Sequence, residues 1–203
     1  MKDFYHLKKE NITEIKIKRS LFISHLQNVR SIDEAKKYIS KISHKEKNAN
    51  HNCWAYIIGN KAEIYHSSDA GEPSGTAGKP MLNALMKHNL TNTVAVVTRY
   101  FGGVKLGVRG LIEAYSQSVE CTIQSSKIEQ LIEIENIKFI ISYDFFNKLK
   151  YQLECSNVKF IEIIYEAKIT IEIEVPKEIF LETMNLLGEY EKQNLVTIQT
   201  ESY

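Results

Sequence analysis

The chain is short of several things at once. It has three cysteines in 203 residues, Cys53, Cys121 and Cys155, an odd number at wide spacing with no Cys-x-x-Cys. That excludes a disulfide framework and a zinc-ribbon pattern, and it fits reduced thiols in a cytoplasm. No apolar run approaches the roughly 20 residues needed to cross a bilayer. The opening Met1-Lys-Asp-Phe-Tyr-His-Leu-Lys-Lys-Glu10 is too polar for a secretion signal. There is one tryptophan, and only three prolines and nine glycines. No internal repeat or low-complexity tract is visible. With 43% hydrophobic and 25% charged residues, the composition is that of a soluble globular protein of one large or two small domains, expected in the cytoplasm and without a membrane partner.

The scarce residues are unevenly spread. Seven of the nine glycines and two of the three prolines lie between Gly71 and Gly110. They fall in Ser68-Asp-Ala-Gly-Glu-Pro-Ser-Gly-Thr-Ala-Gly-Lys-Pro80 and Arg99-Tyr-Phe-Gly-Gly-Val-Lys-Leu-Gly-Val-Arg-Gly110. Glycine loses more entropy on folding than any other residue, so this density needs a backbone reason. The candidates are left-handed turns, close approach of two segments, or main-chain N–H groups left free to grip an anion.

Charge is also uneven behind a net of +1. Residues 1–125 carry 18 Lys+Arg against 11 Asp+Glu, whereas residues 126–203 carry 8 against 14. The split suggests two units, the first suited to a phosphate-bearing partner.

Periodicity fills in the elements. Ile12–Lys18 alternates as a half-buried strand, and Leu21–Leu26 reads as a second. Ser31 caps a helix with Ile32, Ala35, Ile39 and Ile42 on one stripe, ending near Asn48. His51–Ile58 is a strand, with Gly59-Asn60 as a tight hairpin turn into Lys61–His66. Pro80 opens a short helix over Met81–His88. Thr93–Thr98 reads as a buried strand, and the second loop leads into a helix carrying Leu111, Tyr115, Val119, Thr122 and Ile123 on one side. Gln124–Lys127 is the expected linker, placing domains at 1–127 and 128–203. Beyond it come strand (Ile137–Ser142), helix (Asp144–Glu154), strands (Val158–Ile164 and Ala167–Val175), helix (Lys177–Gly188) and strand (Leu195–Thr200). The fold class is α+β, with a C-terminal βαββαβ ferredoxin-like sandwich.

Familiar nucleotide motifs do not fit. Gly75-Thr-Ala-Gly-Lys79 lacks the glycine spacing of a P-loop, and Pro80 stands where a Mg²⁺-binding hydroxyl belongs. Gly103, Gly107 and Gly110 lack dinucleotide-fold spacing. Both loops nevertheless lead into helix N-termini, where unpaired N–H groups and the helix dipole favour an anion. Lys79, Arg99, Lys105 and Arg109 supply donors for phosphate, with Lys18 and Arg19 as additions and Gly75, Gly78, Gly102 and Gly103 as backbone contributors. The opposing reading is that the glycines only permit tight packing. Asp69 and Glu72 are either acid/base or Mg²⁺-ligating carboxylates of an enzyme acting on a small phosphorylated or nucleotide-like substrate, or turn-makers and ion-pair partners. His51 and Cys53 share a strand face, which suits a nucleophile–base pair or a buried thiol beside an ordinary histidine. His66 has no second ligand at metal spacing, so no metal and no cofactor is expected.

At these loops the chain resembles the YigZ/IMPACT family. The resemblance is carried by Ser68–Pro80, by Val97-Thr-Arg-Tyr-Phe-Gly-Gly-Val-Lys-Leu-Gly107, by Gly110-Leu with Ala114-Tyr115, and by Lys18-Arg-Ser-Leu-Phe22 and His51-Asn-Cys-Trp-Ala55. It implies an N-terminal domain like the second domain of a small-subunit ribosomal protein and a C-terminal domain like the last domain of elongation factor G. Both likenesses imply RNA or the ribosome as partner. In eukaryotic members the N-terminal domain regulates translation by competing for a stress-kinase activator, which implies a translation-factor protein as another partner. The chain departs from the family at Val108-Arg109, usually a small residue and glycine, and at Ser116, often glycine. Arg109 either adds a phosphate contact or narrows the site. Tyr100 and Phe101 either stack a base or pack inside.

Overall fold

The structure is a computed structural model describing residues 3–199. The chain divides into two compact units, 1–131 and 132–203.

The first unit contains β1 (Tyr5–Leu7), β2 (Asn11–Ile17), β3 (Ser20–Asn28), α1 (Ile32–Lys45), β4 (His51–Ile58), β5 (Ile64–Ser68), α2 (Gly78–Lys87), β6 (Thr93–Tyr100), α3 (Gly107–Gln124) and β7 (Ile128–Gln130). Its main sheet is antiparallel with the order β2-β3-β6-β4-β5. The central strand β6 explains the layering. Val94 and Val96 point into one cluster, with Ala35, Tyr38 and Ile42 of α1. Ala95 and Val97 point into the other, with Met81 and Leu85 of α2 and Leu111, Tyr115 and Val119 of α3. A strand covered on both faces has no polar side to show, so it is continuously apolar. The expected buried face of α3 is buried throughout. Ser31 accepts a hydrogen bond from the Glu34 N–H, and the Glu34 side chain reaches back to the Arg30 N–H, holding the start of α1.

Turn chemistry and connectivity differ from expectation in two places. The tight hairpin is not at Gly59-Asn60, because β5 starts only at Ile64 after a longer connection. It is at Lys18-Arg19, where two non-glycine residues take φ of 43° and 71° between Ile17 and Ser20. Neither residue favours that region, so nothing in their chemistry announced it. The second difference is at the linker. Residues 128–130 pair with β1 and belong to the first unit, so the division comes after Leu131 and not after Lys127. A three-residue strand pairing across the whole unit leaves no local signature.

The second unit runs β8 (Ile134–Ile141), α4 (Tyr143–Cys155), β9 (Lys159–Tyr165), β10 (Ile169–Pro176), α5 (Lys177–Lys192) and β11 (Val196–Gln199), a βαββαβ order. Its antiparallel sheet has the order β11-β8-β10-β9. Along β10, Ile169, Ile171, Ile173 and Val175 are buried while Thr170, Glu172 and Glu174 alternate outward. Thr200, the expected end of the last strand, lies outside the described residues.

One buried group is expected to make the first unit sensitive to acid. His25 on β3 lies between Ile12 of β2 and Val96 of β6, and neither of its ring nitrogens has a partner. Burial, with Lys45 of α1 adding, holds its pKa below the ordinary value; Glu46, Glu10 and Glu14 act the other way without prevailing. The native state therefore keeps the ring neutral, while the unfolded chain takes up a proton near pH 6.5. Stability from this group is complete above about pH 6.5 and is lost as the pH falls below it. His25→Leu is expected to flatten the fall in stability between about pH 7 and pH 5, measured by urea unfolding at each pH. An unchanged pH dependence would rule out His25 as a source of the acid sensitivity.

Candidate functional site

The two glycine-rich loops, the Lys18-Arg19 turn and the ends of β4, β5 and β6 meet at one end of the sheet. Register places them there, since Leu21 pairs with Tyr100, His51 with Arg99 and Ser68 with Trp54.

In the first loop the α2 N-terminus is already occupied. Asp69 accepts from the backbone N–H groups of Gly75 (2.8 Å), Ala77 (2.9 Å) and Gly78 (2.9 Å). These are the donors an external anion would need, and the protein's own carboxylate takes them. Burial alone would raise the Asp69 pKa, but the three N–H groups outweigh it and hold the carboxyl below its usual value. Gly75 is left-handed, at φ 76°. Gly78 lies so close to Ser68 that an added Cβ would sit 2.8 Å from its backbone. Neither glycine offers a free phosphate-binding N–H.

Glu72 is also spent internally. It is 8% exposed, and its Oε1 accepts from Arg99 Nη1 at 2.6 Å and from the Tyr115 hydroxyl at 2.9 Å. Arg99 is only 5% exposed, so it is not the surface phosphate donor its sequence position suggested. Its guanidinium lies over the rings of Phe22 and Phe101, 5.4 Å from each centroid, with Ser20 Oγ 3.4 Å from Nη2. A buried cation needs a counter-ion more than an external partner. With Asp69 capping a helix and Glu72 balancing Arg99, both lose the acid/base and Mg²⁺ roles.

The His51–Cys53 pairing dissolves likewise. His51 Nδ1 donates to the Ala70 carbonyl, while the Cys53 thiol donates to the Asp69 carbonyl. Burial pushes the Cys53 thiol up to about 12, leaving no thiolate for nucleophilic work. His66 stacks against Trp54. Among the described residues, no group of three or more His, Cys, Asp and Glu is placed to hold a metal ion.

What remains outside is cationic and apolar. Lys18, Arg19, Lys79, Lys105 and Arg109 are exposed. Of these, Arg109 pairs with Glu113 on the helix surface. Gly102 donates its N–H to Ser20 Oγ and packs on the hairpin turn, where a Cβ would come within 2.0 Å of the Arg19 carbonyl oxygen. It is therefore a close-approach glycine, not an anion donor. Gly103 is exposed, with φ of 83° and open space around it. Phe101, Val104, Val108 and Ile112 are exposed, and the α3 N-terminus has no side-chain cap. Sequence reasoning did not assign roles to Ser20 or to Tyr115, whose hydroxyl fixes Glu72. Both stand in the resemblance motifs, the one signal that could have found them.

The family model for the Impact N-terminal domain matches residues 18–123. The chain belongs to the IMPACT family. The IMPACT family member YvyE of Bacillus subtilis is 39% identical over 175 residues, covering 86% of this chain and 81% of that protein. The IMPACT family member YigZ of Escherichia coli is 28% identical over 187 residues, covering 91% and 92%. A crystal structure described as that of a hypothetical protein superposes with a TM-score of 0.65 at 26% identity, covering all of both chains.

The Impact match begins at the Lys18-Arg19 turn and ends inside α3, so it encloses both loops and the Arg99–Glu72 pair. Arg99→Ala strands a buried carboxylate and is expected to lower stability by about 3–5 kcal/mol, with Lys105→Ala nearly neutral. Asp69→Ala is expected to cost about 1–2 kcal/mol through the lost cap. Urea titration of the three variants checks both. An Arg99→Ala protein as stable as the parent would sink the buried-pair account.

Proposed function

We propose that this IMPACT family protein is a cytoplasmic, translation-related regulatory protein whose first unit docks on RNA, free or in the ribosome, through the cationic end of its five-stranded sheet. One observation carries the reading: the loops' two carboxylates are engaged internally, Asp69 by backbone N–H groups and Glu72 by Arg99, while Lys18, Arg19, Lys79, Lys105 and Arg109 stay in solvent. The field at that end is positive, and phosphate contacts from such side chains position a protein on RNA without reading its sequence. Family membership supports the regulatory part, since the resemblance implies translational control by this domain in eukaryotic members. The likeness to a ribosomal-protein domain and to the last domain of elongation factor G belongs to the same reading. Arg99 and the glycines of the first loop take no part in the contact; they hold its shape.

A second reading, an adaptor for a translation-factor protein, is favoured by one feature. Val108 is 61% exposed, with Ile112 exposed one helical turn further along α3 and Val104 exposed in the loop that leads into it. Such a stripe suits a protein anchor better than a phosphate.

A salt titration separates them. With about four phosphates neutralised, the log–log slope for single-stranded RNA is expected near −3, and Lys105→Ala/Arg109→Ala should make it shallower by about 0.7 per lost cation. A slope near zero would remove the electrostatic basis of the RNA reading, and Val108→Asp then becomes the test of the adaptor.

A further inference from the structure

We propose that Phe101 is a base-stacking platform, so that the nucleic acid taken by this end of the sheet is single-stranded with an unpaired base; this rests on the RNA reading above and specifies its substrate. Phe101 lies one residue beyond β6 and is 44% exposed, with exposed cations in the segments around it. Its place is fixed from three sides. The Phe101 N–H donates to Asn50 Oδ1 at 2.8 Å. The next residue, Gly102, rests on the Arg19 carbonyl. The Arg99 guanidinium lies over the ring, 5.4 Å from its centroid and equally far from that of Phe22, and is tied to Glu72 and Ser20.

The guanidinium covers one face of the ring, and the exposure that remains is what a base would use. The cation cannot swing away, because it is buried and ion-paired, so the ring it supports is ordered before any ligand arrives. An ordered ring loses little conformational freedom on binding, which is what a stacking contact needs. Tyr100, its neighbour, is not equivalent: its hydroxyl is tied to Glu46 and it is part-buried. Lys18, Arg19 and Lys105 are exposed in the segments that flank Phe101, suited to the backbone of a strand whose base lies on the ring. A duplex keeps its base faces stacked inside and offers only phosphates and grooves, so it uses the cations but not the ring.

The experiment measures fluorescence anisotropy of the full chain with a fluorescein-labelled single-stranded RNA of mixed sequence and with a blunt-ended RNA duplex of the same length, which has no unpaired base. The variants are Phe101→Ala, Phe101→Leu and Phe101→Trp, each checked by thermal melting. The wild-type protein is expected to prefer the single strand. Phe101→Ala and Phe101→Leu should each weaken it about tenfold, the loss of one stacked base, with an unchanged salt slope. Phe101→Trp should retain affinity and quench on binding. Duplex binding should not respond to any of the three.

Equal binding of both RNAs, with Phe101→Ala and Phe101→Leu like wild type, overturns the platform and leaves the phosphate reading standing. Loss in Phe101→Ala with full affinity in Phe101→Leu overturns it too, because the side chain is then only an apolar cover over Arg99. No binding of either RNA by wild type overturns the platform and the RNA reading together.

Discussion

The Arg99–Glu72 ion pair is the contact on which this end of the molecule depends. It joins β6 to the first loop, and through the Tyr115 hydroxyl it adds α3. Phe22 of β3 and Phe101 of the second loop close over the guanidinium. A buried pair is a weak net source of stability, because desolvating two charges offsets most of their attraction. Its stronger effect is on uniqueness, since any arrangement that separates the partners leaves a bare charge in an apolar interior. The glycine density follows from this convergence. Gly78 and Gly102 stand where another backbone comes too near for a Cβ, and Gly71, Gly75, Gly103 and Gly107 take left-handed turns that bring the loops back to the pair.

The same convergence sorts the charges. Anions on the loops are drawn inward, Asp69 onto the N-terminus of α2 and Glu72 onto Arg99, while the flanking lysines and arginines find few internal partners and stay in solvent. A nearly neutral chain thereby presents one cationic end. The Impact match spans this whole arrangement, so the family's motif residues are largely the parts of a scaffold, with the exposed cations and Phe101 as what the scaffold displays.

Much of the fold was legible because it is written at short range. The apolar run of β6, the capped start of α1, the buried stripe of α3 and the alternation along β10 each reflect a local period and a layer on one or both faces. The hairpin at Lys18-Arg19 was not legible, because its left-handed residues are imposed by strand pairing and by the fit against Gly102 and not by their own preference. The β1–β7 pairing was hidden for a related reason: three residues at each end of a unit carry too little pattern to announce a partner more than a hundred positions away.

The candidate site divides the same way. From the sequence alone came where it lies, that it is rich in glycine and cations, which family it resembles, and that P-loop and dinucleotide chemistry do not fit. Which charges are available was decided only by tertiary structure. Arg99 and Lys105 look alike in the chain, yet one is locked between two aromatic rings and a carboxylate and the other faces water. Asp69 and Glu72 look like ligands, yet each is consumed by donors brought from elsewhere. A residue type sets what a side chain can bond to; its burial and its partners, which come from segments distant in sequence, set whether any of that capacity is left for a ligand.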